Sequence, residues 1–308
     1  MTGEVLLGAV MVFGLASAWA GPSMLHRARW QARAPRAALA LWFAFAVAAL
    51  VATVGVILSV GIRPWRMAFV PGLRRALWCL VECRWGAFSP LQLTLVVLAL
   101  GLGIQFVVLL ANEFRRTALE RRKHRRVLGL VAEPLSGDDG MLLLEHPSPV
   151  AYGVPGLRPR VVLSTGTLSL LNERELQAVL AHERAHFRAR HDLAVLPFAA
   201  LASALPWLPL ARDGLASVRA LVEMLADDSA ARRESTTALA AAIVHVARGV
   251  VPAGALAGRG GNVACRVQRL SADRHTARTW MTLLAYGAAC VIAAVPCVLL
   301  VAASANLR

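Results

Sequence analysis

Four long apolar runs divide the chain: Val5–Met24, Ala37–Ile62, Trp85–Asn112 and Thr279–Leu307. Each supplies the roughly 20 residues that a helix needs to cross a hydrocarbon core of ~30 Å. The pattern predicts a mainly α membrane protein with about four transmembrane helices. Residues 113–278, between the third and last runs, mix polar and apolar positions over a length sufficient for a compact domain. The expected organisation is a three-span region at 1–112, a domain at 113–278 and a C-terminal span at 279–308.

Within 113–278 the periodicity changes several times. Glu113–Arg126 reads as a basic helix, followed by strand-like pieces at Val127–Ala132 and Met141–Glu145. Pro147–Pro159 is rich in turn residues. Arg160–Ser164 reads as a strand, either an exposed edge along which a substrate strand can lie or an ordinary buried strand. Leu193–Ala211 is uncharged but interrupted by Pro197, Pro206 and Pro209, which favours a buried or membrane-apposed helix, or a re-entrant hairpin, over a fifth crossing. Val218–Ala231 is again helical, and Val250–Asn262, rich in Gly and Ala, reads as a flexible connector.

Composition supports the membrane assignment. Of the 308 residues 57% are hydrophobic, and the mean hydropathy of +0.58 is above that of ordinary soluble domains. The net charge of +15 is unevenly placed. Arg27, Arg29, Arg33 and Arg36 follow the first run, and the segment before that run has no basic side chain. This is the pattern of a retained span with its N-terminus outside rather than a cleaved signal peptide. The densest basic cluster, Arg115–Arg126, follows the third run and places residues 113–278 in the cytoplasm, although five arginines in Arg63–Arg84 weaken the asymmetry. That cluster reads as an orientation signal; no DNA-binding motif accompanies it, and no direct nucleic-acid partner is expected. Cys79 and Cys83 stand four apart in the proposed external loop, where a disulfide is possible but not required.

The sharpest chemical signal is Leu180-Ala-His-Glu-Arg-Ala-His186. On a helix His182 and His186 lie one turn apart on one face, so both imidazoles can reach a single metal ion. Glu183 stands beside the first ligand, where a carboxylate can take a proton from an activated water. Asn172 and Glu175 form a capping-box pattern upstream, which places the motif about three turns inside a helix.

A catalytic zinc needs a third protein ligand. Glu223, in Glu223-Met-Leu-Ala-Asp227 on a mostly apolar helix, is favoured, with Asp227 on the same face to orient a ligand histidine. Asp192 is the alternative, at the place where an extended motif carries its third ligand, but Ala189 stands where that motif needs Gly. His191 would point about 140° from His186 if the helix continued. His245 is a possible donor to a developing oxyanion, although a satisfied core histidine is the plainer reading.

The order Arg-Val-Val-Leu-Ser-Thr-Gly-Thr-Leu, then the His-Glu-x-x-His helix, then Glu-Met-Leu-Ala-Asp resembles the BlaR/MecR-type membrane zinc metallopeptidases. It is more distantly similar to the HtpX and CAAX-protease group. The resemblance, over roughly residues 95–280, implies a cytoplasmic α+β gluzincin-like domain inserted before the last span. It implies zinc on His182, His186 and Glu223, Glu183 as general base and Asp227 in support. It also implies a protein or peptide substrate, such as a transcriptional repressor in a signalling pathway. The chain departs from those receptors in having no penicillin-binding segment after the last run. Its sole lysine, Lys123, stands in no Ser-x-x-Lys. Quality-control cleavage of membrane proteins and a non-catalytic scaffold retaining the motif are the alternative readings.

Overall fold

The computed structural model describes residues 3–135, 140–156, 158–250, 256–271 and 279–305. It opens with helices α1 (Gly3–Ala18) and α2 (Ala20–Arg27), then α3 (Pro35–Ile62) and α4 (Phe69–Val81). Helix α5 (Pro90–Val131) leads into a small sheet, β1 (Ala132–Pro134), β2 (Met141–Leu144), β3 (Ala151–Val154) and β4 (Arg160–Ser164). Helices α6 (Thr165–Leu170), α7 (Glu173–Ala189), α8 (His191–Ala204), α9 (Pro209–Ala230), α10 (Thr236–Val250), α11 (Leu256–Ser271) and α12 (Thr279–Ala305) complete it. Four segments are long and apolar enough to cross a membrane: Gly3–Arg27, Pro35–Trp65, Pro90–Val131 and Thr279–Ala305. The fold is thus the expected mainly helical membrane protein with a small α+β unit.

The third span begins later than hydropathy alone suggests. Ser89 accepts the Gln92 N–H and the Gln92 side chain accepts the Ser89 N–H, a capping box that, with Pro90 at the first helical position, starts α5 cleanly. The helix then runs unbroken past residue 112 and past Val127, where a strand was expected. Its last turn stays helical because Leu128 is buried against Leu142, Val154 and Val162 of the sheet; packing decides over the local β-branched preference. The span and the sheet are therefore joined by one continuous helix.

Strand order is β1-β2-β4-β3, with β2 and β4 parallel and the outer pairs antiparallel. Arg160–Ser164 is consequently an interior strand, with Val162 and Leu163 essentially inaccessible; the buried alternative holds and the exposed rail does not. The edges are β1 and β3, and β3, which lies beside α7, is a four-residue strand within the segment expected to be turns. Prolines at 149 and 155 punctuate its ends and leave Ala-Tyr-Gly-Val free to pair.

Leu193–Ala211 resolves into all but the first two residues of α8, a turn at residues 205–208, and the start of α9, which begins nine residues before the expected Val218. Pro197 is accommodated inside α8, and Pro209 starts α9. At 14 residues α8 is too short to cross a bilayer. Its Phe198 is fully buried, packing edge-on against Trp42 and Phe43 of α3 at 6.3 and 5.3 Å between ring centroids. Gly214 permits the close approach of α9, since a Cβ there would meet the Phe198 ring at 2.8 Å. The hairpin turn reaches Trp19, whose ring is 5.8 Å from that of Trp207.

Of the expected connector Val250–Asn262, residues 251–255 lie outside the described residues, while 256–262 are the first turns of α11. Docking of Arg266, Arg269 and Leu270 against α9 and its neighbours offsets the poor helix propensity of the glycines. Cys79 is buried in α4, and Cys83 is exposed; both are free thiols.

Candidate metal centre and active site

Helix α7 carries the motif with its phase set by the cap. Asn172 Oδ1 accepts the Glu175 N–H at 3.0 Å, and Glu175 Oε2 accepts the Asn172 N–H at 3.1 Å. His182 and His186 then face α9, with their Nε2 atoms 3.2 Å apart. Glu223 of α9 places Oε2 3.5 Å from His182 Nε2 and Oε1 3.5 Å from His186 Nε2. Two ligands each ~2.1 Å from a tetrahedral zinc stand about 3.4 Å from one another, so these separations fit such an ion. Donor atoms of the three residues all lie within 4.8 Å of each other.

Each donor is held from behind. His182 Nδ1 lies 3.0 Å from Asp227 Oδ1, off the line of an ideal hydrogen bond, so charge holds the pair as much as direction. Asp227 is fully buried and receives Arg266 in bidentate fashion, Nε to Oδ2 at 2.8 Å and Nη2 to Oδ1 at 2.6 Å. Arg266 Nη1 also lies 3.2 Å from Glu223 Oε2. The general-base candidate Glu183 accepts the Gly153 N–H through Oε2 at 2.7 Å, which fixes it against edge strand β3. Gly153 is required there, because a Cβ would meet Phe187 at 2.5 Å and Glu183 Oε2 at 3.0 Å.

Burial and charge sort the protonation states. Burial disfavours charge on His182, but the Asp227 and Glu223 carboxylates outweigh it and raise its pKa from 6.5 to about 9. Burial, reinforced by His182, holds His186 below its ordinary value, in the neutral form a metal requires. Burial pushes the Glu183 carboxyl up, against the pull of His182 and the Gly153 N–H, toward the range in which a general base works. Burial would raise Asp227 too, yet the hydrogen bonds from Arg266 and the adjacent His182 ring bring it down to about 2.

The remaining sequence candidates stand elsewhere. Asp192 pairs with Arg121 of α5 at 2.9 Å and is not in the cluster. His245 Nδ1 faces Glu175 at 3.4 Å, two turns before His182 on α7, and does not line the cavities at the site. His191 is closer than helical extrapolation suggests. Arg190 adopts a left-handed conformation (φ 48°, ψ 47°) that ends α7, and the turn returns His191 Nδ1 to 3.1 Å from His186 Nδ1. Arg266 is the residue sequence reasoning missed; the signal was available, since a buried Asp227 on an apolar helix demands a cation.

Two cavities meet at these side chains. One of about 290 Å³ has an apolar wall formed by Val179, Leu239, Ile243, Val246 and Val263. The other, about 730 Å³, extends between α5, α8 and α9 past Thr117, Arg121, Tyr152 and Arg219. Glu183 and Glu223 border both.

No solved structure matches the chain. The model of peptidase family M48 matches residues 119–282, more than half of the chain and all of the elements that build this centre, so the protein belongs to peptidase family M48 and is a metallopeptidase.

Proposed function

We propose that the protein is a membrane-embedded zinc endopeptidase, with His182, His186 and Glu223 as the metal ligands and Glu183 as the general base. The convergence of three donors at zinc spacing, with Glu183 held against the half-buried edge strand β3, carries this reading. Zinc bound there supplies Lewis acidity for a water nucleophile and for the scissile carbonyl. Glu183 accepts the proton of the attacking water and delivers it to the leaving amine. Asp227 and Arg266 hold His182 with Nε2 toward the other donors. An extended substrate lies along the edge strand β3, whose Gly153 N–H is held by Glu183, its side chains reaching the two cavities.

The BlaR/MecR-type order of motifs supports a protein regulator, such as a transcriptional repressor, as substrate. The distribution of arginines supports an N-terminus outside and a cytoplasmic peptidase domain.

Metal analysis of the detergent-purified protein tests the site. One zinc per chain is expected in the wild type, kept in Asp192→Ala and Glu183→Gln and lost in Glu223→Ala. Glu183→Gln is expected to abolish cleavage in a peptide-library assay. Zinc unaffected by Glu223→Ala overturns the ligand set, and turnover surviving in Glu183→Gln overturns the base.

A further inference from the structure

A second concentration of chemistry lies where the peptidase unit meets the membrane-spanning helices. Two adjoining cavities, about 350 and 270 Å³, share Arg36, Leu225 and Arg232 in their walls. Pro35, Asp228 and Tyr286 are among the other residues lining the first, and Arg188, His191 and Ala194 among those lining the second. Pro35 opens α3, and Thr282, also in the first cavity, lies in the first turn of α12. Both cavities are therefore at the level where two spans enter the bilayer, whichever way the chain is oriented. Trp280, exposed beside them, suits the headgroup region.

Charge at this level is unbalanced. The single carboxylate among the lining residues, Asp228, is already engaged by Arg269, whose Nη2 stands 2.8 and 2.7 Å from its two oxygens. Arg269 Nε also donates to the Ala32 carbonyl at 2.6 Å, tying the segment before α3 to α9 and fixing one wall. Among the described residues, Arg36, Arg188 and Arg232 have no carboxylate at ion-pair distance. Below the recess, Leu283 and Leu284 of α12 are exposed in an apolar segment.

We propose that this recess binds the phosphodiester of an anionic phospholipid from the leaflet on the peptidase side, with Arg36 and Arg232 as its principal ligands and Arg188 in support. Guanidinium groups match phosphate oxygens in geometry and charge, and a basic pocket between spans is the site at which such headgroups are held. Acyl chains would continue along the exposed face of α12. Since Arg188 and His191 also flank the metal motif, the lipid braces the back of α7 and α8 against the membrane.

The test is lipid retention by the full-length protein in nondenaturing mass spectrometry, with thermal unfolding in phosphatidylcholine nanodiscs without and with phosphatidylglycerol. Wild type is expected to retain phosphatidylglycerol and to be stabilised by it. In R36Q/R232Q, at ~5-fold per arginine, retention weakens about 25-fold, with unfolding in pure phosphatidylcholine unchanged. R122Q/R126Q, in the basic stretch of α5, is the control and retains the lipid. Equal loss in both double variants, or retention in R36Q/R232Q, overturns the site. Stabilisation by inorganic phosphate equal to that by phosphatidylglycerol overturns the lipid assignment in favour of a soluble anion.

Discussion

The Arg266 guanidinium closes on the Asp227 carboxylate through two hydrogen bonds, of 2.8 and 2.6 Å, in a place where Asp227 has no solvent contact. Removing one member of a buried pair leaves an uncompensated charge, which costs about 3–5 kcal/mol. Arg266→Ala is therefore expected to lower the apparent unfolding temperature sharply. Arg266→Lys, which cannot reproduce the planar fork, recovers only part of it. Arg266→Met with Asp227→Leu is expected to regain most of the stability while binding zinc more weakly. Stability in the double variant no better than in Arg266→Ala would show that the pair is not acting as a unit.

Gly153 links the strand edge to the base. Gly153→Ala is expected to displace Phe187 and Glu183 and to lower kcat about 100-fold, since a misplacement of about 1 Å costs that much. Zinc content stays at the wild-type level because no ligand is touched. Phe187→Leu added to Gly153→Ala recovers part of the rate. Steady-state kinetics beside metal analysis checks this, and loss of zinc in Gly153→Ala would count against it.

His191 reaches His186 through the ring nitrogen that faces away from the metal site. Its removal in His191→Ala is expected to weaken zinc binding about 10- to 100-fold, the usual effect of losing a partner behind a ligand. Competition with a chromogenic chelator measures this. Wild-type affinity in His191→Ala would leave the residue a packing role only.

The metal-free protein has a predictable pH response. The folded pKa of His182, about 9, exceeds the ordinary 6.5, so its contribution is full below about pH 6.5 and is lost as pH rises through about 9. His186 is shifted the other way, so its contribution declines as pH falls below about 6.5. Asp227, down from 3.8 to about 2, adds a loss only in strong acid. Thermal unfolding in chelator is thus expected to be best near pH 6.5 and to fall toward pH 9, with the alkaline decline absent in His182→Gln. An unchanged alkaline limb in that variant would assign it to other groups.

The residues themselves determined the parts of this protein that depend on local or one-dimensional pattern. Uninterrupted apolar length marked the four spans, because crossing a bilayer is a requirement on consecutive residues. The Asn172–Glu175 cap and the i, i+4 histidines marked the motif helix and one face of the metal site, because helical geometry converts spacing directly into proximity. What required the fold was everything joined across distance. That β3 lies at an edge and β4 in the interior followed from strand order. That the third span continues as a helix to the sheet followed from the burial of Leu128. His191 returned to His186 through one left-handed residue, a backbone choice that no side-chain pattern announces. Arg266 met Asp227 from 39 positions away. Sequence spacing encodes neighbours along one helix, whereas contacts between elements are decided by how buried faces and buried charges are jointly satisfied.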